Sequence, residues 1–157
     1  SRSMARLTQV SIVVDGVSGV SLQAYAGRSL LEIFVEFEFS TSLPLPSVAV
    51  TLETQGGQII TSASTVCDHS PPVVIAPGKG LACLRYPNLP LLRGTYRVGV
   101  YLFCERVLHM YEDGSNCAQI EVLDDGLEQG LAFLPHSWND GPLISTRVSM
   151  LSVKETL

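Results

Sequence analysis

Apolar and polar residues alternate with a period of two through most of this chain, and no segment holds a helical period over eleven residues. The clearest run places Leu31, Ile33, Val35, Phe37 and Phe39 on one face and Glu32, Phe34, Glu36 and Glu38 on the other. Such a strand has one face in a core and the other on solvent or a partner. Val10, Ile12 and Val14 mark an earlier strand, ended by Asp15-Gly16, and Val20, Leu22 and Ala24 continue as a short edge piece up to Gly27. Leu43-Pro44-Leu45-Pro46 breaks the pattern. Val48, Val50 and Leu52 then form a strand, Gln55-Gly56-Gly57 turns it, and residues 59–62 return as a hairpin. Residues 67–80 hold three prolines and two glycines and read as a long surface connection. Residues 81–86 and 95–105 are strands, 106–116 a polar and aromatic loop, and Ala118, Ile120 and Val122 the strand that closes the set.

The turn into the strand at 95–105 reads Leu91-Leu92-Arg93-Gly94-Thr95-Tyr96-Arg97-Val98-Gly99-Val100. A tyrosine opening an alternating strand just after a glycine turn is how an Ig-like sandwich turns its corner. The ring packs inward and its hydroxyl bonds back to the turn. Asp-Gly pairs at Asp15, Asp113, Asp125 and Asp140 are turn chemistry, since none has further acids at metal-ligand spacing. The expected fold is an all-β, Ig-like antiparallel β-sandwich with an extra C-terminal strand segment. That segment comprises the apolar stretch 131–138 and the alternating stretch 144–153.

At 157 residues the chain suits one domain, large enough to build a core without disulfides or metal. Residues 1–4 (Ser1-Arg2-Ser3-Met4) read as an expression remnant, and 5–157 as a single β-sandwich domain. The polar, glycine-containing stretch 123–130 looks like a hinge, so 131–157 is expected to exchange with an identical chain and make a homodimer. The composition is 46% hydrophobic and 16% charged, which is globular rather than disordered. No apolar run approaches the ~18 residues of a membrane span. A net charge of −5 argues against a general nucleic-acid binder. Cys67, Cys83, Cys104 and Cys117 read as reduced thiols, with Cys83 and Cys104 acting as small apolar side chains on strands.

Catalytic patterns are weak. His136, Ser137 and Asp140 are sequence neighbours without a G-x-S-x-G elbow, so they read as a polar loop. Glu32, Glu36 and Glu38 share a strand face and suit a solvated surface as well as a glycosidase pair. Cys67 and His69 lack a second ligand pair, and no phosphate-binding loop is present. The expectation is a protein without catalysis, cofactor or metal.

The outward face of the tyrosine-corner strand is more informative. If Tyr96 points inward, then Arg97, Tyr101 and Phe103 point out, and Gly99 leaves a shallow gap beside the rings. Gln119 and Glu121 face the same side by parity. Aromatic rings beside hydrogen-bonding groups suit sugars, whose C–H faces stack while their hydroxyls bond. The candidate carbohydrate-binding residues are therefore Arg97, Tyr101, Phe103, Gln119 and Glu121. Cover by the C-terminal segment or a second subunit is the competing reading of the same rings.

Three stretches resemble the C-terminal domain of Wzt, the nucleotide-binding subunit of ABC exporters of O-antigen polysaccharide in Gram-negative bacteria. They are the corner strand 91–100, the strand after a glycine turn Gly27-Arg28-Ser29-Leu30-Leu31-Glu32-Ile33, and the ending Gly130-Leu131-Ala132-Phe133-Leu134-Pro135-His136-Ser137-Trp138. The resemblance implies a non-catalytic module that binds the polysaccharide and couples its recognition to export. It implies a cytoplasmic place at the inner face of the inner membrane, beside an ATPase domain and a transmembrane subunit. It carries over no individual binding residue. The alternatives are a sandwich used for protein assembly without sugar binding, and a sandwich hydrolase.

Overall fold

The computed structural model describes residues 4–156. Its strands, in chain order, are β1 (Ala5–Val14), β2 (Val17–Ser18), β3 (Ser21–Tyr25), β4 (Leu31–Phe39), β5 (Ser47–Thr54), β6 (Ile59–Ser64), β7 (Val73–Ala76), β8 (Lys79–Tyr86), β9 (Gly94–Phe103) and β10 (Met110–Leu123). One helix, α1 (Gly141–Thr156), follows. The first sheet has the order β2-β1-β4-β8-β7 and the second β3-β10-β9-β5-β6. The two inner faces meet in one core, as an Ig-like sandwich requires.

The alternation dictates that core. Leu31, Ile33, Val35 and Phe37 enter it from β4, Val48, Val50 and Leu52 from β5, and Val98, Val100 and Leu102 from β9. None is more than 3% exposed. Each such side chain contributes about 1.5–3 kcal/mol by leaving water. Gly80 lies opposite Phe37 across the β4–β8 pair, and the Phe37 ring occupies the space that any side chain there would need.

The corner forms as expected. Tyr96 is 1% exposed, and its hydroxyl donates to the Leu92 carbonyl at 2.6 Å. Asp15 and Gly16 form the β1–β2 turn with φ of 48° and 83°. Two central residues of positive φ make the tight hairpin that Asp-Gly favours.

Four features differ from the expectation. One pair is parallel: β3 lies beside β10 with Ser21 opposite Gln119 and Tyr25 opposite Leu123. The chain leaves the first sheet after Ser18, crosses the sandwich edge near Gly19, and joins the second sheet running the same way as β10. Second, the connection 67–80 contains β7, which hairpins onto β8 through Pro77-Gly78. Third, β10 starts at Met110 rather than after a long loop, with its register shifting between Gly114 and Ala118. Fourth, the stretch 144–153 is helix, not strand. Among the described residues it has no sheet neighbour, and its backbone groups bond within the helix. Pro142 suits the first turn, and the Asp140 carbonyl accepts from the Ile144 N–H at 2.8 Å.

Residues 131–133 pair with the corner of the same chain. Leu92 N–H donates to Leu131 O at 3.0 Å and Phe133 N–H to Pro90 O at 2.8 Å. Beyond them Leu134, Trp138, Leu143, Val148 and Met150 are exposed. Ser1, Arg2 and Ser3 of the N-terminal tetrapeptide lie outside the described residues, whereas the Met4 carbonyl accepts from Ser40 N–H at 2.9 Å. All four cysteines are free thiols. Cys83 faces outward and is exposed, contrary to the small-apolar reading, while Cys104 follows the end of β9 and is half-buried.

Candidate functional site

The two outer faces of the sandwich differ in how they treat their polar groups. On the first sheet Glu38 pairs with Arg6 and Glu32 with Arg85, each at 2.9 Å. Both pairs join residues directly opposite each other on neighbouring strands. Two of the three carboxylates that could suggest glycosidic cleavage are thus engaged in cross-strand pairing. On the second sheet no ion pair forms among the described residues.

All five sequence-selected residues lie on that second face. Strand β9 buries Tyr96, Val98, Val100 and Leu102 and turns Arg97, Tyr101 and Phe103 outward, each half-buried. On β10 Gln119 and Glu121 are exposed between buried Ala118, Ile120 and Val122. Register places Gln119 directly opposite Arg97 and Glu121 opposite Thr95. On the other side of β9, Glu53 lies opposite Arg97 and Thr51 opposite Gly99. Gln119, Arg97 and Glu53 therefore form one row across three strands. The stripe from the Glu121 level to Phe103 runs eight residues along β9, about 26 Å.

The five residues fall into two groups. Tyr101 and Phe103 lie side by side, with ring centroids 6.3 Å apart and planes tilted by 37°. Arg97, Gln119 and Glu121 lie about 13 Å or more from them along the strand. Arg97 reaches toward the β5–β6 turn, where its Nε donates to the Thr54 carbonyl at 3.4 Å. At the Gln119 end a groove of ≈ 500 Å³ opens beside the strand crossover, lined in part by Asp15, Ser21, Gln23, Gln119 and Glu121. A hydrogen bond from the Ser29 hydroxyl, and then one from the Leu30 N–H, hold the Asp15 carboxyl below the usual carboxylate range.

The gap expected at Gly99 is filled. A side-chain carbon built there would lie 2.6 Å from Thr51 Oγ1 and 2.8 Å from the Tyr101 hydroxyl. The Tyr101 ring thus folds back over the glycine. Sequence parity missed Thr51, Glu53 and Gln23, because each belongs to this face only through its cross-strand neighbour.

Other places fit the chemistry less well. A cleft of ≈ 320 Å³ opens between the sheets and is lined by core residues such as Ile33, Val35, Val48 and Val50. Its apolar walls are the sandwich interior reaching an open edge, with few groups to bond sugar hydroxyls. His136 Nδ1 bonds the Leu134 carbonyl at 2.7 Å and is not poised on Ser137. Among the described residues no three His, Cys, Asp or Glu side chains gather to hold a metal.

No protein family model and no curated protein matches the sequence. Among solved structures, the C-terminal domain of wzt superposes with a TM-score of 0.70 at 12% identity, covering 88% of this chain and 85% of that one. The shared feature is the fold. The CARDB domain of a Pyrococcus furiosus protein, solved with di-metal ions, gives a TM-score of 0.42 at 16% identity over 78% of this chain and 96% of that one. CopC from Methylosinus trichosporium OB3b gives 0.38 at 13% identity over 77% of this chain and 100% of that one.

Proposed function

We propose that the outer face of the second sheet binds a polysaccharide chain without cleaving it, and that this recognition serves export of an O-antigen-type glycan by an ABC transporter. One observation carries the reading. Along about 26 Å this face sets two aromatic rings at one end and Gln119, Glu121 and Glu53 toward the other, and those three side chains make no hydrogen bond among the described residues. The opposite outer face ties Glu32 and Glu38 up in ion pairs. An elongated stripe of rings and free hydrogen-bonding groups suits a polymer of hydroxylated rings better than a single small molecule.

The shared fold with the C-terminal domain of wzt supports the transporter setting. In it the domain sits on the cytoplasmic side of the inner membrane, next to an ATPase domain and a transmembrane subunit. No helix among the described residues is long and apolar enough to cross a membrane. The exposed apolar side chains of 134–153 suit burial against a second copy, so the reading includes a homodimer joined through the C-terminal segment.

Equilibrium titration with purified neutral polysaccharides (a mannan, a galactan and a glucan), combined with an assay for new reducing ends, tests the reading. It expects saturable binding of at least one and no new ends. Binding of none would leave the protein-assembly alternative, and release of ends the hydrolase.

A further inference from the structure

Thr51 is 7% exposed, and its hydroxyl is a buried side-chain oxygen with no hydrogen-bond partner among the described residues. A buried hydroxyl left unpaired costs about 1–3 kcal/mol, so such a group on a protein surface calls for a reason. Its location supplies one. Thr51 belongs to the outward row of β5, opposite Gly99 on β9, at the middle of the stripe. Its Oγ1 and the Tyr101 hydroxyl converge on the space that a side chain at residue 99 would occupy. Glycine therefore leaves a floor, Thr51 supplies one hydrogen-bonding atom at its side, and the Tyr101 ring covers it from above.

We infer that Thr51 is a specificity-determining residue of this face. Tyr101 lifts off Gly99 when the glycan docks, and a sugar hydroxyl then takes the hydrogen bond that Thr51 Oγ1 lacks. This rests on the carbohydrate reading above and names the subsite within it. Surrounding charge sets the class of sugar. The register places Glu53 opposite Arg97, Glu121 opposite Thr95 and Asp113 opposite Tyr101 on this face, and a second arginine, Arg28, lies over the Tyr25 ring at its β3 edge. Three carboxylates against two guanidiniums leave the face net negative and disfavour an acidic sugar, so the subsite takes a neutral one.

The test uses the full chain and the same mannan, galactan and glucan, with a polyuronate as the acidic control. Thr51→Val keeps the side-chain shape and removes the hydroxyl. It is expected to weaken binding of the preferred neutral polymer about tenfold, with a melting temperature equal to or above that of the parent. Thr51→Ser restores the hydroxyl and should recover the affinity. Gly99→Ala puts a methyl group on the floor and should weaken binding at least as much as Thr51→Val. Parent-like binding by Thr51→Val overturns the inference and leaves the carbohydrate reading standing. A melting temperature lowered by Thr51→Val overturns it as well, because the hydroxyl then has a structural partner. Preference for the polyuronate overturns the choice of neutral sugar. Failure of the parent protein to bind any polymer overturns the carbohydrate reading and the inference together.

Discussion

The Tyr96 hydroxyl donates to the carbonyl of Leu92, four residues upstream, at 2.6 Å, and a second carbonyl, that of Leu131, lies 3.1 Å from the same oxygen. One phenol thus sits between the corner of the sandwich and the start of its C-terminal segment. Tyr96→Phe keeps the ring in the core and removes both contacts. It should destabilise the protein by about 0.5–1.5 kcal/mol, rising to a few kcal/mol if the Leu92 carbonyl is left without a partner. Chemical denaturation checks this. An unchanged midpoint would mean that the hydroxyl does not hold the corner.

Acid should loosen the β1–β2 turn. The Asp15 carboxylate accepts from the Ser29 hydroxyl at 2.6 Å and the Leu30 N–H at 2.8 Å, and these bonds depress its pKa in the folded state. The stabilisation is complete above the ordinary carboxylate range and is lost as pH falls through the lower folded value. Asp15→Asn should therefore flatten the stability profile below about pH 4, and melting curves from pH 2 to 6 would show it. An identical acid limb in both proteins would contradict the role of this clamp.

Tyr101→Ala should weaken polysaccharide binding by about 1–3 kcal/mol, the scale of a central aromatic contact. The loss of stability should be small, since the ring packs on the outer face over Gly99 and beside Phe103 rather than in the core. Titration and thermal melting of the same preparation separate the two effects. Parent-like affinity in folded Tyr101→Ala would move the site elsewhere, with the His109–Tyr111 ring pair at the start of β10 as the next place to look.

Light scattering of the full chain should report a dimer, and a truncation ending at Gly130 a monomer. That cut removes the exposed apolar side chains of 134–153 together with the residues that bond to Pro90 and Leu92. A soluble dimer from the truncated chain would show that the C-terminal segment does not join the two copies.

Strands with strict alternation and one buried face are legible in the sequence: β1, β4, β5, β9 and the second half of β10 all follow from their period of two. Strand β7 does not, because Val73–Ala76 is a short unbroken apolar run between Pro72 and Pro77. The first half of β10 is hidden by the irregularity between Gly114 and Ala118, which interrupts the alternation. Helix α1 is misread because Ile144, Val148, Met150, Leu151 and Val153 satisfy both periods in part, and only the lack of a sheet neighbour selects helix. For the candidate site, parity along β9 and β10 turns five side chains to one outer face, that of the second sheet. It carries no information on register, so the row Gln119, Arg97, Glu53 and the pairing of Thr51 with Gly99 emerge only from the fold.

The central claim is that polysaccharide occupies the outer face of the second sheet. Backbone amide NMR of the labelled protein, with and without saturating neutral polysaccharide, tests it most directly. The expected result is a contiguous set of shifted signals from residues 97–103 of β9, 119–121 of β10 and 51–53 of β5, with the first sheet unmoved. Shifts gathered instead around Asp68 and Cys83 at the cleft between the sheets, or spread along β1 and β4, would contradict it.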